Sequence, residues 1–228
     1  VDIAWSYAFG LIALLYALLG SGWTVRRALI ASLALVWSAR LGTHLAIRVI
    51  GHHPEEDGRY QQLRQDWAAN FVAKMFWFFQ MQAVSVVLLG AAFLLSCLNP
   101  TPQLPPLEIA GSALWLIATS GEALADAQLA AFKRNPANKG KVCAVGLWHL
   151  SRHPNYFFEW LIWVSYFVFA LASPWGWIAI VGPASILYLL LRVTGIPMTE
   201  EQSLRSRGDA YRRYQKTTSA FIPWFPKQ

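Results

Sequence analysis

Ionisable side chains recur at helical spacing inside apolar stretches of this 228-residue sequence. Arg40, His44 and Arg48 follow one another every four positions. Glu122, Asp126 and Lys133 stand at i, i+4 and i+11, and Asn155 and Glu159 at i and i+4. Each set shares one face of a helix. Arg192 lies near the end of another apolar run. A charged group facing lipid costs roughly 2.5–3.5 kcal/mol even on a lenient scale. Polar stripes on four such segments therefore predict a polar chamber, lined by acids, bases and an amide. The competing readings are snorkelling for Arg48 and Arg192 and structural pairing for Glu122 and Asp126.

The elements that must position these groups are membrane helices. Hydrophobic residues make up 56% of the chain and charged residues 14%, against roughly 25% charged in a soluble domain. Thirteen Phe, twelve Trp and eight Tyr add to the apolar load. This composition excludes a disordered chain, a coiled coil and an ordinary soluble enzyme. A bilayer core needs about 20 apolar residues per helix. Six runs qualify, over about 3–20, 28–50, 74–98, 108–131, 156–172 and 175–197. The predicted fold is all-α, a polytopic transmembrane helix bundle forming one domain over residues 1–228. Ser173-Pro174 predicts a tight hairpin, and residues 99–106 form an uncharged, Pro-rich loop.

Charge sets the sidedness. Segments 51–73, 132–155 and 198–228, with Lys74, hold fourteen Lys and Arg, while the opposite side holds only Arg26 and Arg27. The positive-inside rule places the rich side, and the open mouth of the chamber, in the cytoplasm. Residues 199–216 mix Leu204, Tyr211 and Tyr214 with many charges, which predicts one or two short helices lying at the interface.

Other chemistries find little footing. The net charge of +7 has no accompanying nucleic-acid motif. Cys97 and Cys143 belong to no CxxC pattern, and the five histidines (His44, His52, His53, His149 and His153) are too few for a di-iron membrane site; no metal is expected. Neither a dinucleotide GxGxxG turn, a P-loop nor a GxSxG elbow occurs.

The segment from Gly146 to Glu159, GLWHLSRHPNYFFE, resembles the core of the steroid 5α-reductase-like membrane family, including its bacterial DUF1295-type members. Gly121-Glu122…Asp126-Ala-Gln128, then Phe132-Lys133, is similar to the same family's pattern. So are Glu56-Asp57-Gly-Arg59-Tyr60 with Leu63-Arg64 and Trp67, and Glu200-Glu201…Leu204…Gly208…Tyr211…Tyr214…Ile222-Pro223. The Arg152-His153-Pro154 portion and the C-terminal pattern also resemble isoprenylcysteine and phospholipid methyltransferases and sterol reductases.

The resemblance implies seven membrane helices, one of them preceding residue 1, in a bacterial inner-membrane reductase that takes NADPH from the cytosol. It implies that Asn155, Tyr156 and Glu159 stand at the nicotinamide amide. Arg192, Lys133, Lys141 and Arg152 would serve the phosphates, with His153 in the same motif. Glu122 and Asp126 would surround the adenosine, and Glu200, Glu201 and Tyr214 the rim. Asp2 falls about where the family's carboxylic acid stands. Its tyrosine partner maps near Trp37, which leaves His44 as a substitute donor. A lipid-soluble enone, steroid-like or otherwise, would lie against Trp5, Trp37 and Trp163. A monomer or weak oligomer is expected. The alternative is a methyltransferase using S-adenosylmethionine on a lipid or isoprenylcysteine-like group.

Overall fold

Apolar runs become helices in a computed structural model that describes residues 2–51 and 63–227. No named β-strand occurs among the described residues. Four helical stretches are long and apolar enough to cross a membrane: Asp2–Leu19, Thr24–Gly51, Ala68–Leu98 and Gly176–Thr217. The other two predicted spans are helical as well. One carries the Glu122–Lys133 stripe, and the other, at 17 residues, is slightly short. The chain divides into two compact units, Val1–Leu104 with Ala170–Ala179, and Pro105–Phe169 with Ile180–Gln228.

In the first unit α1 (Asp2–Leu19) packs along α2 (Thr24–Gly51). Small polar groups stitch the pair together. Ser38 Oγ donates to the Ser6 carbonyl at 2.7 Å and accepts the Gly10 N–H at 3.2 Å. Tyr7 and Thr43 hydroxyls meet at 2.9 Å. Helix α2 starts four residues before its predicted boundary at 28. The reason is Arg26, fully buried in the first turn. Its guanidinium donates to the carbonyls of Asn99, Thr101 and Gln103 at 2.8, 2.9 and 2.6 Å. The arginine thus helps hold the Pro-rich loop instead of marking a solvated turn. The predicted span 74–98 breaks at Gly90 into α3 (Phe71–Leu89) and α4 (Ala91–Leu98).

The second unit contains α5 (Pro106–Arg134), the single turn α6 (Leu147–Leu150), α7 (Pro154–Ala170, whose last residue clusters with the first unit), α8 (Val181–Tyr188) and α9 (Ile196–Thr217). Pro106 and Pro154 each occupy a first helical position, where a missing N–H is harmless. Helices α5 and α7 approach closely at Gly121, where an added Cβ would come within 2.5 Å of the Phe158 ring. The predicted span 175–197 is not one α-helix. A 3₁₀ turn (Gly176–Ile180) leads into α8, and a π turn (Leu189–Val193) follows it. Gly195 then ends the run before Ile196-Pro197 starts α9. Helix α9 is itself two helices meeting at Gly208, which agrees with the one or two expected over 199–216.

Candidate functional site

Glu159, Trp163 and Tyr166 follow at i, i+4 and i+7 along α7 and so share a face. Trp163 Nε1 donates to Glu159 Oε1 at 3.0 Å, which orients the carboxylate. Across from them, Trp115 Nε1 of α5 donates to the buried Tyr166 hydroxyl at 3.0 Å. The Glu122 carboxylate, 4% exposed, and that of Glu159 both act electrostatically on Tyr166. One turn before Glu159, Asn155 is half-buried and makes no side-chain hydrogen bond among the described residues.

A second cluster surrounds Glu200. Its Oε1 accepts from Arg152 Nε at 2.6 Å and lies 3.3 Å from His153 Nε2, and its Oε2 accepts from Gln215 Nε2 at 2.9 Å. Arg152 Nη1 also donates to the carbonyls of Gln215 and Thr218 at 3.0 and 2.6 Å. A cation there complements the negative end of α9. Burial by itself would raise the Glu200 carboxyl. The hydrogen bonds from His153 and Arg152, the guanidinium charge and Gln215 outweigh it and bring the carboxyl down to about 2. The His153 ring stacks on Tyr156 at 5.3 Å, and the Tyr156 hydroxyl meets Thr199 Oγ1 at 3.0 Å. Tyr214 donates to the carbonyls of Trp148 and Ser151. Burial pushes its phenol well above the ordinary value.

A third group is basic. Burial pushes the Cys143 thiol up, while the Val145 backbone and the charges of Lys133 and Arg207 pull it back. Arg207 Nε donates to the Lys141 carbonyl at 3.0 Å, beside the exposed Lys141 side chain.

A family model described as Protein of unknown function (DUF1295) matches residues 1–218. The chain belongs to the DUF1295 family. No curated protein and no solved structure matches it.

The DUF1295 match spans every site residue expected from the sequence. The structure gathers Glu122, Glu159, Asn155, Arg152, His153, Tyr156, Glu200, Tyr214, Lys133 and Lys141 in the second unit. Several of them are engaged with one another: Arg152, His153 and Glu200 form one network, and Tyr214 secures the same segment. Asp126 is half-buried on α5. Glu201 is exposed and pairs with Arg205 at 2.6 Å, a surface ion pair. Arg192 is exposed within the π turn. Trp163 is buried on Glu159.

Four other expected residues of this DUF1295 protein belong to the first unit. Asp2 opens α1 half-buried, and its carbonyl accepts from Ser6 Oγ at 2.8 Å. Trp5 Nε1 donates to Ser85 Oγ at 3.0 Å. Trp37 is fully buried, its ring 5.6 Å from Phe9. His44 is exposed. The motif residues Glu56, Asp57, Arg59 and Tyr60, and the pair His52-His53, lie outside the described residues. Sequence reasoning missed Tyr166, Trp115, Thr199 and Gln215. The i+4, i+7 pattern from Glu159 was the available signal for the first. The partners contributed by α5 and α9 depend on tertiary packing and had none.

Proposed function

We propose that this DUF1295 protein is a membrane reductase that uses NADPH to saturate a C=C conjugated to the carbonyl of a lipid-soluble, steroid-like or related substrate. The observation that carries the reading is that one compact unit holds two different donor sets. Lys133 and Arg207 both act electrostatically on Cys143, and Asn155 and Glu159 share one face of α7. Phosphate oxygens call for Lys and Arg. A carboxamide calls for a donor and an acceptor together, which an Asn amide and a carboxylate supply. The residues present thus fit the dinucleotide. When bound, it supplies the hydride.

The chain's own residues bind and orient. Trp163 fixes the rotamer of Glu159. The close approach at Gly121 and Phe158 keeps α5 and α7 at constant spacing. Hydride addition to an enone drives negative charge onto its carbonyl oxygen, where a protein hydrogen-bond donor lowers the barrier. Asp2 is the donor nominated by family resemblance, with His44 as the substitute. The excess of Lys and Arg in the polar segments supports a cytoplasmic dinucleotide side, and the family resemblance a bacterial inner membrane.

One observation favours a second reading. Glu122 and Glu159 are carboxylates on α5 and α7, the two helices that the Trp115–Tyr166 hydrogen bond joins, and a pair of acids also suits the sulfonium and ammonium of S-adenosylmethionine and hence methyl transfer. Thermal denaturation of the detergent-purified protein, titrated in parallel with NADPH, NADH and S-adenosylmethionine, separates the two. A ligand that binds only the folded state stabilises it by RT ln(1 + L/Kd) at free ligand concentration L, so the melting temperature keeps rising with ligand concentration. NADPH is expected to stabilise. Stabilisation by S-adenosylmethionine alone would establish the second reading and remove the first.

A further inference from the structure

Residues 219–227 are strapped to the second unit by their backbone. The Ser219 carbonyl accepts from Arg152 N–H at 2.8 Å, and the Phe221 carbonyl from Ser151 Oγ at 2.8 Å. Trp224 N–H donates to the Leu150 carbonyl at 2.9 Å, and Lys227 N–H to that of Thr217 at 2.8 Å. Phe221 is buried, with its ring 5.7 and 5.8 Å from those of Phe157 and Trp160 on the first two turns of α7. The segment therefore lies level with the start of that helix.

The side chains that follow do the opposite of packing. Ile222, Trp224 and Phe225 are 58%, 69% and 80% exposed. Fixed backbone bonds keep them from folding back onto the protein. The same end of the chain carries the exposed cations Lys227, whose N–H donates to the Thr217 carbonyl, and, on the last turns of α9, Arg213, Lys216 and Arg212, the last paired with Asp209 at 3.2 Å. Aromatic rings favour the boundary between acyl chains and headgroups. Neighbouring Lys and Arg draw such a segment to anionic lipid. The first two turns of α7 supply the depth, because the beginning of an apolar helix is where that boundary falls.

We propose that residues 222–227, with Arg212, Arg213 and Lys216, form a surface anchor that seats Ile222, Trp224 and Phe225 at the headgroup boundary of an anionic bilayer leaflet. The anchor shares no residue with Lys133, Arg207, Asn155 and Glu159. Because the strap runs through Ser151 and Arg152, it ties the Arg152–Glu200 pairing to the membrane surface.

The test uses the full chain in nanodiscs of phosphatidylcholine mixed with phosphatidylglycerol. Phe225→Cys is spin-labelled, and its accessibility to oxygen and to a water-soluble nickel chelate is measured by power saturation. Asp209→Cys on α9 is the aqueous comparator, and labelling of the parent chain gives the background from Cys97 and Cys143. The oxygen-to-nickel ratio is expected to be several-fold higher at position 225 than at 209, and higher with phosphatidylglycerol than in phosphatidylcholine alone. Ile222→Cys reports the same depth from a second exposed position, should the first variant fold poorly. Equal nickel access at 209 and at both anchor positions overturns the proposal. Dipolar broadening between labels on neighbouring chains also overturns it, because a second copy then covers the surface.

Discussion

Arg152 Nε lies 2.6 Å from Glu200 Oε1, joining a residue two positions before the start of α7 to the first turns of α9. The same guanidinium reaches the far end of α9 through the Gln215 and Thr218 carbonyls. One side chain therefore clamps both ends of a helix that bends at Gly208 between them.

Acid should loosen this clamp. The Glu200 carboxyl is lowered from its ordinary 4.5 to about 2. The unfolded chain therefore takes up the proton before the folded one does. The stabilisation is complete above about pH 4.5 and is lost as the pH falls toward 2. Thermal melting of the purified protein at stepped pH should show this loss. Glu200→Gln should melt lower at neutral pH and vary less over the acid range. Parallel curves for variant and parent would contradict the assignment.

Glu159→Gln and Asn155→Ala test the α7 face. Each is expected to weaken NADPH binding about tenfold, equivalent to about 1.4 kcal/mol, with little change in melting temperature without ligand. Ligand-induced thermal shifts provide the readout. If both variants respond to NADPH as the parent does, this face is not the carboxamide site.

Lys133→Ala and Arg207→Ala test the basic group. Removing either cation should weaken NADPH and leave S-adenosylmethionine unaffected. The penalty should shrink at high salt, since exposed charges are screened over about 10 Å at 0.1 M ionic strength. A salt-independent loss would point to misfolding instead.

Gly208 has φ 51° and ψ −125°, a backbone conformation that side chains with a Cβ resist. Gly208→Ala should destabilise the protein by roughly 1–3 kcal/mol. A nearby Ala210→Gly change serves as the control. An unchanged melting temperature for Gly208→Ala would mean that the bend is dispensable.

Arg26→Met removes three hydrogen bonds to loop carbonyls. Leaving buried acceptors unsatisfied costs about 1–3 kcal/mol each, so the variant should express poorly or melt many degrees lower. Limited proteolysis should cut first within residues 99–104. Wild-type resistance there would show that the loop stands without the arginine.

Much of this arrangement was legible from residue types. Period-four acids and bases marked the faces of α2, α5 and α7, and Asn155-x-x-x-Glu159 sits on one face as spaced. Other features were hidden by the same logic that revealed these. A charged residue ordinarily ends an apolar run, so Arg26 was placed outside the helix that in fact buries it, and Glu108, fully buried, drew no notice. The pairing of Arg152 with Glu200 spans 48 positions and has no local signature. Apolar composition alone also does not distinguish an α-helical turn from the π turn at Leu189–Val193.

That wide turn has its own arithmetic. Thr194 N–H reaches back five residues, to the Leu189 carbonyl at 3.0 Å, so the coil holds one residue more than an α-helix would. One residue amounts to about 100° of rotation about the axis. Excising a single residue between 189 and 193 would restore a regular helix while spinning everything downstream by more than a quarter of a revolution, carrying Glu200 away from Arg152. At this spot the number of residues, more than their chemistry, sets the phase of the chain that follows.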